Sequence, residues 1–431
     1  MLTTIRKAWG IEEIRRKMIF TVIMLILYRL GNAIPVPYVD GELLRTYFAS
    51  VENTALGLMN VMSGGAMSYA TIFALGIQPY ITSSIIVQLL TIAIPALERM
   101  QKEGGEEGKK MLNNITRYAT LAIAALLGFS YYYILTANNL LTADATGILT
   151  PVIIILSFAA GSCLLMWMGE QITEFGIGNG ISIILFAGIV SRFPTSLYTM
   201  ISNIMAGELP WWIAVLVLVG ALAMIVLIVI ITNAERRIPV QYSKRVVGRK
   251  MYGGQSTHLP IKVNMSGVMP IIFAQSIASL PATIANFAQP TEGSWWATFL
   301  DAIDTNTIAY AVIYLLLIIF FSYFYAAIQF NPVEVANNLK KNGGFIPGFR
   351  AGKPTSEYIS KVLGKVTIFG AIYLAIIAIT PIIISVFSDV AASTGISLGG
   401  TSIIIVVGVA IETVKGLESQ MLMRHYKGFL E

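Results

Sequence analysis

Apolar residues gather into long runs that begin near Met18, Ile72, Tyr118, Val152, Ile177, Trp211, Val268, Ile308, Val366 and Leu398. Each run, wound as a helix, is long enough to cross about 30 Å of hydrocarbon. A helix satisfies its backbone N–H and C=O groups within its own segment, as lipid demands. The pattern therefore predicts an all-α membrane protein of ten spans. The longest stretches outside the spans, residues 233–266 and 330–365, are too short to build cores of their own. Residues 1–431 thus read as one membrane domain with large loops.

The polar gaps between spans differ sharply in charge. Arg6, Lys7, Arg15, Arg16 and Lys17 precede the first span, and Arg99, Lys102, Lys109, Lys110 and Arg117 follow the second. Arg236, Arg237, Lys244, Arg245, Arg249, Lys250 and Lys262 follow the sixth, and Lys340, Lys341, Arg350, Lys353, Lys361 and Lys365 follow the eighth. Lys415, Arg424 and Lys427 close the chain; of its 29 Lys and Arg residues, only Arg29, Arg45 and Arg192 lie elsewhere. By the positive-inside rule, both termini and the loops near 97, 233 and 330 are cytoplasmic. Composition agrees with a membrane protein, since 12% charged and 56% hydrophobic residues leave too little charge to solvate a soluble surface. Ile5, Trp9, Ile14 and Met18, at near-helical spacing among cations, read as an interfacial amphipathic helix leading into the first span. The apolar run that follows reaches Ala33 and meets Pro35 and Pro37 rather than the small-residue cleavage site of a signal peptide.

Two sets of five spans place the first span of each set in opposite directions, so halves that resemble one another would form inverted repeats. The second span is introduced by Met62, Ser63, Gly64 and Gly65 with Pro79 inside it, and the seventh by Met265, Ser266 and Gly267 with Pro270. The fifth and tenth spans read as short and Gly-flanked. Gly and Pro interrupt membrane helices where backbone lines a cavity, which points to the interface between the halves, residues 1–193 and 211–431. Residues 55–69 lie in an exterior gap yet carry Leu56, Leu58, Met59, Val61 and Met62. Such a segment either folds back into a cavity, with Gly64 and Gly65 as its hinge, or lies on the membrane surface.

Catalytic and cofactor chemistry is sparse. Cys163 is the one cysteine and sits in an apolar span, so neither a disulfide nor a cysteine metal cluster is available. His258 and His425, the two histidines, fall in cytoplasmic segments. Gly176, Gly178 and Gly180 lack the preceding strand and the spacing of a nucleotide loop. An ion-coupled transporter calls for paired charges at the membrane midplane. Arg29 stands nearly alone at depth, while Glu170, Glu174 and Glu412 lie near cytoplasmic ends. An intramembrane enzyme would need a nucleophile and base or a metal set, and neither is present at depth. No cofactor is expected.

The loop at 233–266 has more character. Ile238, Val240 and Tyr242 alternate with polar residues or Pro, as do Leu259, Ile261 and Val263, which predicts an irregular β-hairpin with Arg249 and Lys250 near its tip. A basic ribbon of this kind suits anionic lipid, an RNA backbone or an acidic protein.

Several runs are similar to one known family. They are Phe73-Ala74-Leu75-Gly76-Ile77-Gln78-Pro79-Tyr80-Ile81-Thr82-Ser83-Ser84-Ile85, Gly176-Ile177-Gly178-Asn179-Gly180-Ile181-Ser182, Arg236-Arg237-Ile238-Pro239-Val240, Gln255-Ser256-Thr257-His258-Leu259-Pro260 with Lys262-Val263-Asn264, and Pro347-Gly348-Phe349-Arg350-Ala351-Gly352. In this order they resemble the bacterial SecY family, central subunits of a protein-translocation channel, over nearly the whole chain.

The resemblance implies a protein-conducting pore between two pseudosymmetric halves in the bacterial cytoplasmic membrane. The family's pore ring maps to Ile81, Ile85, Ile181, Leu185, Ile272 and Ile405. Leu185 stands where isoleucine is expected, and the change conserves apolar volume. Its plug maps to residues 55–67, with Leu58, Asn60, Met62, Gly64 and Gly65 as plug and hinge. A lateral gate between the second and third spans on one side and the seventh and eighth on the other would carry Thr82, Ser83, Gln88, Gln275, Ser276 and Asn286, whose interhelical hydrogen bonds hold a seam closed yet breakable. The loops bearing Arg236, Arg237, Lys244, Arg245, Arg249, Lys250, Arg350 and Lys353 would dock the motor SecA or a ribosome. The implied partners are SecE and SecG, secretory preproteins with their signal peptides, anionic lipids and a second copy of the chain.

Overall fold

The computed structural model describes residues 2–51, 55–145, 147–207, 209–242, 245–247, 250–252, 256–265, 267–281, 294–303, 307–387 and 400–427. Helices α1 (Leu2–Trp9) and α2 (Glu12–Gly31) are followed on the exterior by α3 (Gly41–Ser50) and α4 (Ala55–Met62). Then come α5 (Gln78–Ala93), α6 (Pro95–Glu103), α7 (Gly105–Ala137), α8 (Thr150–Phe175), α9 (Gly180–Met205) and α10 (Trp211–Asn233). The second half holds α11 (Met269–Ala278), α12 (Trp295–Ala302), α13 (Ile308–Gln329), α14 (Pro332–Lys341), α15 (Lys353–Phe387) and α16 (Gly400–Lys427).

Among the described residues six helices are long and apolar enough to cross a membrane, and a seventh span forms if α5 and α6 are counted together. That pair bends by 99° at Ile94, which is extended because Pro95 follows it. Helix α2 carries charge in its first turns, α11 is ten residues long, and α16 holds Glu412, Lys415 and Glu418. These three complete the ten spans.

Packing repeats between the halves. Helices α5, α7 and α8 pack in sequence, as α11, α13 and α15 do. The halves meet where α5 touches α11 and where α9 touches α16. This is an inverted two-fold arrangement of five spans each, and the elements at its centre are the second, fifth, seventh and tenth spans.

Several boundaries differ from the sequence pattern. The second span is helical from Gln78, not Ile72, because Gly76 is left-handed at φ +57° and Pro79 favours a helix's first turn. The fifth and tenth spans are not short, at 26 and 28 residues; each helix runs on beyond its apolar stretch. The N-terminal amphipathic segment breaks near Gly10 into α1 and α2. Ala8 is buried beside Ile14, Ile177 and Leu417, while Ile5 and Trp9 are exposed.

The cytoplasmic hairpin is present, and a second loop joins it. Strand β1 (Glu235–Tyr242) runs antiparallel to β4 (Ser256–Lys262), with Ile238 opposite Leu259, and the shorter β2 (Arg245–Val247) and β3 (Lys250–Tyr252) pair beyond them. Strand β5 (Gly344–Phe345), from the loop after the eighth span, adds to the other edge of β1. Ile238, Val240, Ile261, Ile346, Ile359 and Leu363 form one buried core beneath. The two large loops after the sixth and eighth spans therefore share a single folded body.

Candidate functional site: a constriction, its filling segment and its cytoplasmic face

Four spans bring the aliphatic side chains of the candidate ring into one buried cluster. Ile81 and Ile85 lie one turn apart on α5 and so share a face; Ile181 and Leu185 do the same on α9. Helix α9 is fixed at its start by Asn179, whose Oδ1 accepts from the N–H groups of Ile181 (3.1 Å) and Ser182 (3.4 Å). Ile272 follows Pro270 in the first turns of α11, and Ile405 comes from α16. Ile81, Ile85, Leu185, Ile272 and Ile405 are buried in one cluster, and the half-buried Ile181 packs against it. None of these six side chains has a polar atom.

The exterior segment folds inward rather than lying on the surface. Val61 and Asn60 of α4 are buried, Leu56 and Met59 pack against an exterior-side core, and Met62 packs against the constriction cluster. Asn60 Oδ1 accepts from Ser68 N–H at 3.0 Å, and its backbone carbonyl accepts from Gly65 N–H at 2.8 Å. Gly64 and Gly65 have φ of +72° and +87°, a conformation that glycine alone enters without strain. Leu58 lies in the helix, but its side chain is outside the described residues.

The seam between α5 and α11 is bridged by a residue the sequence reading did not single out. Gln78 Nε2 donates to Ser276 Oγ at 3.1 Å, one turn beyond Ile81 and Ile272 in the exterior direction. Its signal was an amide at the foot of a span, next to the proline that starts the helix. Ser83 does not reach across, because its hydroxyl donates to the Pro79 carbonyl of its own helix at 2.7 Å. A buried serine in a membrane helix finds the carbonyl four residues back more readily than a partner on another helix. Thr82 is half-buried. Gln88 Oε1 and Gln275 Oε1 are buried and unpaired among the described residues. Asn286 lies outside them.

In the folded loops Arg236 and Arg237 are exposed on β1, with Arg237 Nε 2.7 Å from Glu235 Oε1. Arg350 is exposed on a turn between Gly348 and Gly352, both at positive φ. Its backbone carbonyl is tied down by the Thr355 hydroxyl at 2.8 Å, and the neighbouring Phe349 ring stacks on Tyr358 with centroids 4.2 Å apart. Lys353 is exposed close by. The turn thus holds a guanidinium outward from a fixed base. Arg245 and Lys250 lie on β2 and β3, with side chains outside the described residues, and Lys244 and Arg249 lie wholly outside them.

Charged side chains near the spans are few among the described residues. Arg29 is exposed at the outer end of α2. Arg117 and Glu170 make a two-pronged pair, 2.9 and 2.8 Å, between the cytoplasmic ends of α7 and α8; sequence distance hid this pairing. A cavity of about 310 Å³ is lined by Asn179, Lys262, Asn264, Gln329, Glu412 and Lys415, among others. Among the described residues no three His, Cys, Asp or Glu side chains come together as a metal site.

Comparison with known proteins agrees with this geometry. The SecY family model matches residues 71–414. A protein translocase subunit SecY from Streptomyces coelicolor is 44% identical over 445 residues, covering 100% of both chains. The fold is similar to a structure of the SecY protein whose plug domain stabilises the closed state of the translocation channel and maintains a membrane seal. That likeness has a TM-score of 0.62 at 19% identity, over 95% of this chain and 92% of that one. It is also similar to Sec61 in a canine ribosome–channel complex from the endoplasmic reticulum, with a TM-score of 0.61 at 16% identity, over 95% and 93% of the two chains.

Proposed function

The chain belongs to the SecY family and is a protein-conducting membrane channel, and on that premise we propose how its own residues divide the work. Ile81, Ile85, Ile181, Leu185, Ile272 and Ile405 form the pore ring. The ring yields to any side chain that passes and closes behind it, since dispersion contacts among aliphatic groups have no fixed partner. The observation that carries this reading is the convergence of these six side chains from four spans of both halves, with the end of α4 packed against them.

Residues 55–67 are the plug, hinged at Gly64 and Gly65. The seam between α5 and α11 is the lateral gate, through which signal and transmembrane helices leave for the lipid. Thr82, Gln88, Gln275, Ser276 and Asn286 belong to it, and Gln78 joins them. The joined loops 233–266 and 330–365, with Arg236, Arg237, Lys244, Arg245, Arg249, Lys250, Arg350 and Lys353, dock the SecA motor or a translating ribosome. The rigid base under Arg350 supports that reading, as does the ribosome-bound state of a protein with the same fold. SecE and SecG complete the complex, anionic lipids meet its basic face, and copies of the chain associate. Both termini face the cytoplasm of a bacterium, across its cytoplasmic membrane.

A cysteine pair at Gln78 and Ser276, whose amide nitrogen and hydroxyl oxygen lie 3.1 Å apart, tests the gate in a background with Cys163→Ser. Cysteine is shorter than the glutamine it replaces, so the pair is joined by a short cleavable thiol crosslinker rather than a direct disulfide; linkage is expected to stop insertion of signal-bearing chains, and cleavage to restore it. Unimpaired translocation through the locked pair would reject the gate.

A further inference from the structure

We propose that the Tyr28 hydroxyl is the latch by which the first span holds the plug in its seat. This rests on the reading of residues 55–67 as the plug, of which α4 lies before the Gly64–Gly65 hinge. Tyr28 lies near the outer end of α2, is 1% exposed, and donates to the backbone carbonyl of Ser63 at 3.2 Å. Ser63 sits between α4 and the Gly64–Gly65 hinge, so this bond grips the side of the hinge that moves.

Three contacts fix where the hydroxyl points. The Tyr28 ring stacks on Phe73, with centroids 6.0 Å apart and planes 18° from parallel. Phe73 in turn is pressed against Gly31 of the same span, where an added Cβ would fall 2.0 Å from the ring. Opposite, an added Cβ on Gly188 of α9 would stand 3.1 Å from the Tyr28 oxygen and 2.8 Å from the Met62 carbonyl. The first span, the fifth span and the end of the plug therefore meet at one hydroxyl.

A second tyrosine marks the part that stays. Tyr131 of α7 is buried, and its hydroxyl donates to the Met67 carbonyl, downstream of the hinge. One tyrosine bond thus lies on each side of Gly64 and Gly65. Swinging α4 outward breaks the Tyr28 bond and the local bonds of Asn60 to Gly65 and Ser68, while the Tyr131 bond survives. The post and the latch are chemically alike and differ in which side of the hinge they hold.

The test is the resting ion conductance per channel of the complete membrane complex in planar bilayers, without substrate, for wild type, Tyr28→Phe, Tyr131→Phe and a deletion of residues 55–62. Tyr28→Phe keeps the ring and its stacking and removes one neutral hydrogen bond, so conductance should rise about three- to five-fold. Tyr131→Phe should lower the yield of assembled channel and leave conductance per channel at the wild-type level. The deletion should leak most. A leaking deletion with a tight Tyr28→Phe channel would overturn the latch and spare the plug. Equal leaks from Tyr28→Phe and Tyr131→Phe would overturn the division between latch and post. A deletion as tight as wild type would overturn the plug reading and the latch with it.

Discussion

The cytoplasmic sheet and the membrane centre are both built on buried isoleucine, but they are tied together in opposite ways. In the sheet, Ile238 and Ile261 lie on strands joined by a backbone ladder seven residues long, with a third strand from a distant loop on the free edge. Ile238, Val240 and Ile261 of its core are held in register by that ladder. At the centre, Ile81, Ile272 and Ile405 belong to separate helices whose backbones are each satisfied internally. What joins those helices is aliphatic contact and isolated side-chain bonds such as Gln78 to Ser276. The first arrangement moves as a body, whereas the second separates along a seam without breaking a helix. A channel that must open for a chain yet keep its overall shape needs both.

The largest effect should come from breaking the sheet. Ile261 is fully buried, and Ile261→Ala should cost the cytoplasmic body about 3 kcal/mol. Proteolysis should then cut both large loops together while the spans remain assembled; cleavage in one loop alone would contradict a shared core. At the centre, Ile405→Asn places an amide among aliphatic side chains, and its desolvation of about 1–3 kcal/mol should favour hydrated, open states. A rise in ion leak with relaxed signal selectivity is the expected reading, and an unchanged seal would refute the ring register.

A smaller change sharpens the seam. Gln78→Leu removes a bond worth about 0.6 kcal/mol in a membrane protein and should let slightly less hydrophobic signals through, as read by transport of a graded signal series. The smallest effect belongs to the exposed pair on α6. Hydrogen bonding to Lys102 holds the Glu98 carboxyl below its usual range. A carboxyl depressed on folding stabilises above its unfolded pKa and loses that contribution as pH falls through the folded value. Solvent screens this pair, so Lys102→Met should leave transport and its dependence on acid pH unchanged.

The membrane class and the layout of many spans were legible in the chain because lipid imposes an apolar length on every crossing. The hairpin at 233–266 was legible too, from the alternation of Ile238, Val240 and Tyr242. Ring positions such as Ile81 and Ile272 were another matter. Their aliphatic character is shared by every lipid-facing residue, and only resemblance to a family singled them out.

What tertiary structure decided lies in contacts between segments far apart in sequence. Nothing local to Gly344 and Phe345 announces a third strand, since a two-residue strand forms only where an edge already waits for it. Ser83 read as a seam residue and turned back on its own helix, while Gln78 crossed 198 positions of sequence to reach Ser276. Polar side chains in a membrane take the nearest geometrically sound partner, and nearness there is set by how helices are packed. Hydropathy and charge fix where each segment sits relative to lipid and water. Which segments then touch, and which hydroxyl meets which carbonyl, depends on the fit of whole helices that no single stretch of sequence contains.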